Sequence, residues 1–517
     1  MALVQEWSKR ERPFWPTVVL VSLVTGALDT VVSIFRSLWS DEAFTAIAST
    51  LSLHGFWHLI LEKEDAVSAT YDALMRPYIS AAGLSALELR LPSAVFMALT
   101  CAGIMTITHS LVGTRVAIHT GLVFAVLPLV AGFGSEARSY ALSAAVVTWS
   151  TWFALRFLYD ERRARRWAWC YGASLVVTGY VFLYAFTIVV VHLLVAASDM
   201  TSRRRARTLL LIQSASAIAI LPLAVVSWRQ HQQISWIPSG FHAMIVNGVG
   251  LFVTPFWTGM AATPFPVLLA LLMWGLIAWG LLRLVSGSNL TEGARIAVRL
   301  GLAWALVPGV LFTLASLAGP YFTLRYIVFC VPAVALLIGL AMAQVTSSIL
   351  RGGLIIALVV LITFADAPLL SSAGKDGWGT TMNVLKSRGA PGEFVLPTPQ
   401  VSGDDFALDA RVTGLPHRMT LIDFGRSFPW TSAFSVQRWS SSSAPPTHVI
   451  WLVSRFGVIG CAELAVLRDW GFAIRAKYGT DASPTYEFVS PGPAVPISIT
   501  ISCTSHYAGR QRSSLPT

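Results

Sequence analysis

The feature that most constrains this chain is a repeated one: about eleven windows of 18–25 apolar residues, separated by short polar or basic stretches. Wound at about 1.5 Å per residue, such a window crosses roughly 30 Å of hydrocarbon. The windows lie near 14–34, 91–112, 116–133, 140–158, 167–183, 184–200, 208–227, 264–285, 299–318, 325–346 and 353–371. Only 12% of the 517 residues are charged, about half the share of a soluble domain. The polar surface needed for folding in water is missing, so the sequence predicts an all-α polytopic membrane protein. Trp15, Trp57, Trp167, Trp228 and Trp236 fall near the ends of apolar runs, where an amphipathic ring anchors at the bilayer interface.

The net charge of +11 does not point to nucleic acid, because no nucleic-acid-binding motif accompanies it. The cations cluster between spans, at Lys9-Arg10-Arg12, Arg162-Arg163-Arg165-Arg166 and Arg203-Arg204-Arg205-Arg207. The positive-inside rule makes these loops cytoplasmic and gives them anionic lipid headgroups as neighbours. With the N-terminus inside, Arg115, Arg295 and Arg351 are cytoplasmic too. Segments Asp41–Arg90, Ser135–Arg138, Trp228–Phe256 and Pro320–Arg325 then face outside, and an odd span count puts the C-terminal tail outside. The first apolar run has no small-residue cleavage site after it and is expected to stay as a signal anchor. Between the two larger Arg clusters, 167–200 is read as two spans, because one would not return the chain to the cytoplasm.

After residue 371 the composition turns richer in Gly, Ser, Pro and Asp. Runs Glu393–Leu396, His448–Val453 and Thr485–Val489 read as strands, and Gly379–Ser387 and Cys461–Trp470 as helices. Alternation of this kind predicts a small extracytoplasmic α/β domain over 372–501, followed by a disordered tail at 502–517. Cys101, Cys170 and Cys330 sit in or beside spans as small apolar residues. Cys461 and Cys503 would both lie outside, where a disulfide persists, but spacing alone leaves their pairing open.

Chemistry is suggested by Leu38-Trp39-Ser40-Asp41-Glu42-Ala43, two adjacent carboxylates just past the first span. Residues 42–61 have rough helical periodicity, predicting an amphipathic helix lying on the outer surface. The bland reading of Asp41 is the cap of that helix. Further polar and aromatic groups follow at the outer connections: Asp65-Ala66-Val67 before Tyr71, Leu89-Arg90-Leu91-Pro92-Ser93, Gly134-Ser135-Glu136-Ala137-Arg138-Ser139-Tyr140, Leu183-Tyr184-Ala185-Phe186, Ile234-Ser235-Trp236-Ile237-Pro238 and Arg325-Tyr326.

This ordered set resembles the polyprenyl-phosphate-sugar-dependent glycosyltransferases of the GT-C fold, over residues ~36–345 and more weakly beyond. It is most similar to the branch holding protein mannosyltransferases, aminoarabinose transferases and actinobacterial membrane mannosyltransferases. The resemblance implies a transmembrane module at 1–371 with an outer catalytic loop at 37–90. It implies an inverting transferase in the plasma membrane that moves one sugar, mannose, from a polyprenyl-phosphate donor to a glycolipid, lipoglycan or glycan acceptor outside. Asp41 would be the general base, since a sugar hydroxyl needs its proton removed as the bond forms, and Glu42 would orient it. Arg138, Arg325 and Tyr326 would hold the donor phosphate, for which guanidinium is a bidentate match. Asp65, Tyr71, Glu136, Tyr184 and Trp236 would contact the acceptor or sugar.

Simpler readings stand beside these roles. Arg138 could pair with Glu136, Arg325 could snorkel to the interface, and the aromatics could be membrane-belt residues. The family's His segment after Asp-Ala-Val is replaced here by Ser68 and Tyr71-Asp72, so no metal site is carried over and no cofactor is assigned, a divalent metal staying open. His54 and His58, one helical turn apart, lack an identifiable third ligand. The rivals are an arabinosyl or other sugar transferase of the same fold, a lipid-linked-substrate flippase, and an inactive assembly partner. A flippase would need polar groups along the midplane and often internal repeats, and neither is evident.

Overall fold

The computed structural model describes residues 14–36, 38–63, 66–198, 200–253, 265–286, 291–366, 378–398, 403–412, 415, 418–423, 436–439, 442–454, 459–480 and 483–490. Asp65, Cys503 and the 502–517 tail, for which the sequence sets expectations, lie outside the described residues. Helices in chain order are α1 Trp15–Phe35, α2 Ser40–Thr50, α3 Leu53–His58, α4 Ala69–Ala82, α5 Ala86–Val112, α6 Thr114–Val126, α7 Pro128–Gly134, α8 Ser139–Tyr159, α9 Ala164–Val181, α10 Ile188–Ala197 and α11 Met200–Arg229. They continue as α12 Phe241–Val253, α13 Phe265–Ser286, α14 Glu292–Ala315, α15 Val331–Ala343, α16 Ser348–Asp366, α17 Trp378–Arg388, α18 Gly403–Val412 and α19 Cys461–Asp469.

Each of the sequence windows coincides with a helix or helix pair. Among the described residues, seven helices are long and apolar enough to cross a membrane unaided: α1, α5, α8, α11, α13, α14 and the Leu324–Ala343 helix that ends in α15. The pair α6–α7, bent by 58°, passes the same length and apolarity test when its two helices are taken together. The cause of the bend is Pro128 at the first turn of α7, which forces Leu127 into extended backbone (φ −65°, ψ 132°) and cannot donate to the previous turn. Windows 167–183, 184–200 and 353–371 hold α9, α10 and α16, which are shorter or more polar. The structure adds α12, an apolar helix of 13 residues inside the segment read from sequence as an outer loop.

The chain separates into two compact units, one comprising 1–33, 52–75 and 90–369, the other 34–51, 76–89 and 370–517. The first is the helix bundle. Its core is almost wholly apolar, with Met97, Phe124, Tyr171, Trp304 and Phe329 among the side chains removed from solvent. One polar network runs through it. The Gln213 amide donates to the Tyr171 hydroxyl at 2.9 Å and to the Val189 carbonyl at 3.0 Å. Tyr171 meets His192 Nδ1 at 2.9 Å, His192 Nε2 meets Thr151 Oγ1 at 3.0 Å, and Thr151 donates to the Val147 carbonyl at 2.9 Å. One donor order, amide to phenol to imidazole to hydroxyl to carbonyl, satisfies every group and ties α8, α9, α10 and α11 together.

The second unit contains a six-stranded sheet of order β3-β2-β1-β4-β6-β5, with β1 Phe394–Thr398, β2 Thr420–Asp423, β3 Val436–Arg438, β4 Val449–Ser454, β5 Ala473–Thr480 and β6 Ser483–Val489. The first four strands in that order are parallel, while β6 pairs antiparallel with β4 and β5. Its core is Leu396, Ile422, Ile450, Leu452, Leu464, Leu467 and Phe488. Cys461 is disulfide-bonded, whereas Cys101, Cys170 and Cys330 are free.

Replacing Tyr171 by Phe removes the central hydroxyl, takes one of the two partners of the Gln213 amide and leaves His192 Nδ1 without its Tyr171 bond. The expected cost is about 1 kcal/mol, modest because polar contacts inside lipid average below that of water-soluble cores. In nanodiscs Tyr171→Phe should lower the melting midpoint more than Tyr180→Phe, whose hydroxyl makes one bond, to the Ala219 carbonyl at 3.2 Å. Equal midpoints would show that the network does not stabilise the bundle.

Candidate functional site

In the helix bundle, four connections gather at one end through their rings. The α7–α8 turn is bracketed by Phe133 and Tyr140, whose rings are 5.1 Å apart, and Tyr140 meets Phe182 at 5.7 Å. Phe182 opens the turn Leu183–Thr187 between α9 and α10 and touches Tyr326 at 5.7 Å. Tyr184 is tilted against Tyr326 (4.7 Å, 32°) and meets Phe312 edge-on at 5.2 Å. Arg325 sits over the Trp236 ring at 5.1 Å, which brings in the connection after α11. Tyr184, Trp236, Arg325 and Tyr326, chosen separately from sequence, therefore belong to one aromatic surface carrying a cation. Trp236 is 58% exposed, whereas Phe133, Tyr140, Phe182 and Phe312 are buried in the bundle core and Tyr184 and Tyr326 pack against it.

The α7–α8 turn carries Glu136 and Arg138, both buried. Gly134 ends α7, and Arg138 is the extended residue before α8 (φ −143°, ψ 166°), its N–H donating to the Glu136 carbonyl at 2.9 Å. Buried charges of this kind are costly unless matched by charge or hydrogen bonds. Asp29, on α1, is fully buried, and its carboxylate lies against the face of Gly134, where a Cβ would overlap it.

Other sequence candidates fall elsewhere in the bundle. Tyr71 has no exposed surface; its hydroxyl is shared with Ser93 Oγ at 3.1 Å, and neighbouring Thr70 donates to the Tyr180 carbonyl at 2.7 Å. Arg90 is buried and donates to the Ser33 carbonyl at 3.0 Å. Sequence reasoning passed over Gln230, whose amide donates to the Ile60 carbonyl at 2.8 Å and accepts from the Ala66 N–H at 2.9 Å. A single side chain thus joins the start of the 230–237 connection to both flanks of the 61–65 segment. The polar run Arg229–Gln233 after an apolar span was its only signal in the sequence.

The paired acids lie in the second unit. The Glu42 and Ala43 N–H groups donate to the Trp39 carbonyl at 2.9 and 3.0 Å, so α2 begins at Ser40 and its cap is Trp39, without a side-chain bond. This corrects the reading of Asp41 as the cap: it stands inside the first turn, where the helix dipole favours a carboxylate. Asp41 is half-buried and Glu42 fully buried. The single helix expected over 42–61 is interrupted at Leu51–Ser52, where Ser52 caps α3 by accepting from the Gly55 N–H at 3.1 Å. Within this unit α2 packs on α18. His54 and His58 are both exposed, and among the described residues no group of three His, Cys, Asp or Glu is placed to hold a metal.

No family model and no curated protein matches the sequence. The fold does have solved counterparts. The crystal structure of ArnT from Cupriavidus metallidurans bound to undecaprenyl phosphate aligns with TM-score 0.57 and 16% identity, covering 92% of this chain and 99% of that one. Its apo state aligns with TM-score 0.53 and 13% identity over 91% and 97%. The chain therefore has an ArnT-like GT-C fold with a small C-terminal sheet domain.

Because Gly134 faces the Asp29 carboxylate, Gly134→Ala should cost about 1–3 kcal/mol through overpacking and reduce the yield of monodisperse protein. Gly275→Ala, with nothing within 4 Å of the new methyl, is the control and should behave as wild type. Equal yields and melting midpoints for the two variants would contradict the close approach.

Proposed function

We propose that the protein is an inverting glycosyltransferase that moves one sugar, mannose, from a polyprenyl-phosphate donor to a hydroxyl of a cell-envelope glycolipid, lipoglycan or glycan. The observation that carries this reading is the end-to-end likeness to a structure crystallised with undecaprenyl phosphate, over 92% of this chain and 99% of that one. The Arg clusters at alternate connections support an N-terminus in the cytoplasm, with the reacting face and residues 372–501 outside.

The chemistry assigns the roles. The acceptor oxygen forms a bond to the anomeric carbon from the face opposite the phosphate, the carbon–oxygen bond to phosphate breaks, and the phosphate leaves with the electron pair. The acceptor's proton passes to Asp41 as the new bond forms. Glu42, beside it in the first turn of α2, orients Asp41. The leaving phosphate needs cations, which Arg138 and Arg325 supply, with Tyr326 beside Arg325. Tyr184 and Trp236 offer ring faces to the apolar side of a sugar, and Glu136 and Asp65 offer acceptors to its hydroxyls. Tyr71, buried with its hydroxyl on Ser93, is better suited to positioning than to touching sugar.

Purified protein in nanodiscs should transfer a single mannose from synthetic polyprenyl-phosphate-mannose, and Asp41→Asn should lose about 10²–10⁴-fold in turnover with its melting midpoint unchanged. Undiminished turnover in Asp41→Asn would remove Asp41 as the base. Arg325→Met should lose on the order of 30- to 10³-fold in kcat/KM for the donor, the 2–4 kcal/mol expected for an uncompensated phosphate charge. A loss confined to the acceptor's KM would instead place Arg325 at the acceptor.

A further inference from the structure

Arg325 lies over the Trp236 ring at 5.1 Å, yet that contact is too weak to place the ring. Trp236 is largely exposed, and a cation–π pair reached by water contributes little. The ring stands where its backbone puts it, on the connection from Gln230 to Gly240 between α11 and α12. That connection is a run of tight turns. The Gln233 N–H donates to the Gln230 carbonyl at 3.0 Å, Ser235 to Gln232 at 3.1 Å and Ile237 to Ile234 at 2.9 Å. Each turn leaves the chain little freedom, so the two ends of the run decide the position of Trp236.

The far end is fixed on the element that leads to Arg325. The Gly240 N–H donates to the Ser316 carbonyl at 2.7 Å, and the Asn247 amide of α12 donates to Ser316 Oγ at 3.1 Å. Ser316 closes α14 and is fully buried. The near end is held by one half-buried side chain, Gln230. Its amide donates to the Ile60 carbonyl at 2.8 Å and accepts from the Ala66 N–H at 2.9 Å. Ile60 stands in the π-helical turn Leu59–Lys63, a rare form that recurs at functional sites, and Ala66 opens the 3₁₀ turn Ala66–Ser68. Just beyond, Thr70 donates to the Tyr180 carbonyl of α9 at 2.7 Å and Tyr71 shares a bond with Ser93 of α5 at 3.1 Å. The chain that Gln230 grips is therefore itself pinned to the bundle.

We propose that Gln230 is a positioning residue for the donor phosphate: by clamping Ile60 and Ala66 it holds the near end of the connection and keeps the Trp236 ring under Arg325. A guanidinium seated on a ring face meets a phosphate from a fixed place, and less ordering of a long side chain is left to the moment of binding. Gln230 acts through the placement of Trp236 and takes no part in bond making. The inference rests on the reading of Arg325 as a phosphate-binding cation, but the clamp is measurable without turnover.

The test reads occupancy by undecaprenyl phosphate, using native mass spectrometry of the full chain in nanodiscs of stepwise lipid content. Gln230→Met keeps the length of the stem and removes both bonds, and Gln230→Ala replaces it if the longer side chain lowers the yield. Either should weaken binding about three- to tenfold, as expected for a displaced cation–π contact beside a desolvated phosphate. Trp236→Leu should weaken it at least as much. Adding the Gln230 substitution to Trp236→Leu should change affinity less than about twofold, because both act on one contact. Deuterium exchange at the Ala66 amide, which loses its acceptor, should quicken in the Gln230 variants and stay as in wild type in Trp236→Leu. Wild-type affinity in the Gln230 variants, or losses that multiply in the double variant, would overturn the positioning role even where Ala66 exchanges faster. Unchanged exchange at Ala66 would overturn the clamp itself. Wild type that binds no undecaprenyl phosphate, with Ala66 exchange still responding to Gln230, would leave the clamp standing and remove the transferase reading, and the donor role with it.

Discussion

Lipid offers no hydrogen bonds, and this one constraint orders the rest of the molecule. Every backbone group at membrane depth must be satisfied inside its own segment, so the spans are helices and irregular backbone collects where they end. In the bundle the breaks fall at Pro128, at Ser135–Arg138, at Phe182–Thr187, after Arg229 and before Arg325. Those breaks are also where buried Glu136 and Arg138 and the Tyr184–Tyr326 and Trp236–Arg325 contacts stand. The candidate chemistry thus occupies the places that the bilayer leaves free to be polar.

The helix bundle was legible because its signal is long and simple. Each window is set by length and apolarity, and even the bend at Pro128 follows from proline's own geometry. In the sheet, β1, β4 and β6 showed as apolar or β-branched runs such as Val449-Ile450-Trp451-Leu452-Val453. The remaining strands did not: β2 and β3 are only four and three residues, and β5 carries Arg475 and Lys477 as an edge strand does. Helix α18 begins Gly-Asp-Asp, which reads as a turn.

The candidate site was legible in its residues and not in its assembly. Periodicity could not show that Trp236 lies under Arg325, or that Gln230 reaches Ile60 and Ala66, because these contacts span 89, 170 and 164 residues. Nor could it show that α2 starts at Ser40, which depends on the Trp39 carbonyl taking two N–H groups. The His192–Tyr171–Gln213 network was hidden for a related reason: each member is a lone polar residue in an apolar helix, and only the packing of four helices reveals that they satisfy one another. His192 also qualifies the sequence view that the spans are nearly free of ionisable groups at mid-depth.

A GT-C fold hosts more than one transfer, so stereochemistry is the sharpest arbiter. Direct attack assisted by a base inverts the anomeric centre, whereas a covalent sugar–enzyme intermediate would retain it. The decisive measurement is the NMR configuration of the linkage formed by wild-type protein from ¹³C-labelled polyprenyl-phosphate-mannose. A single new linkage of opposite configuration to the donor is expected. Retained configuration, or no transfer from a polyprenyl-phosphate sugar at all, would contradict it.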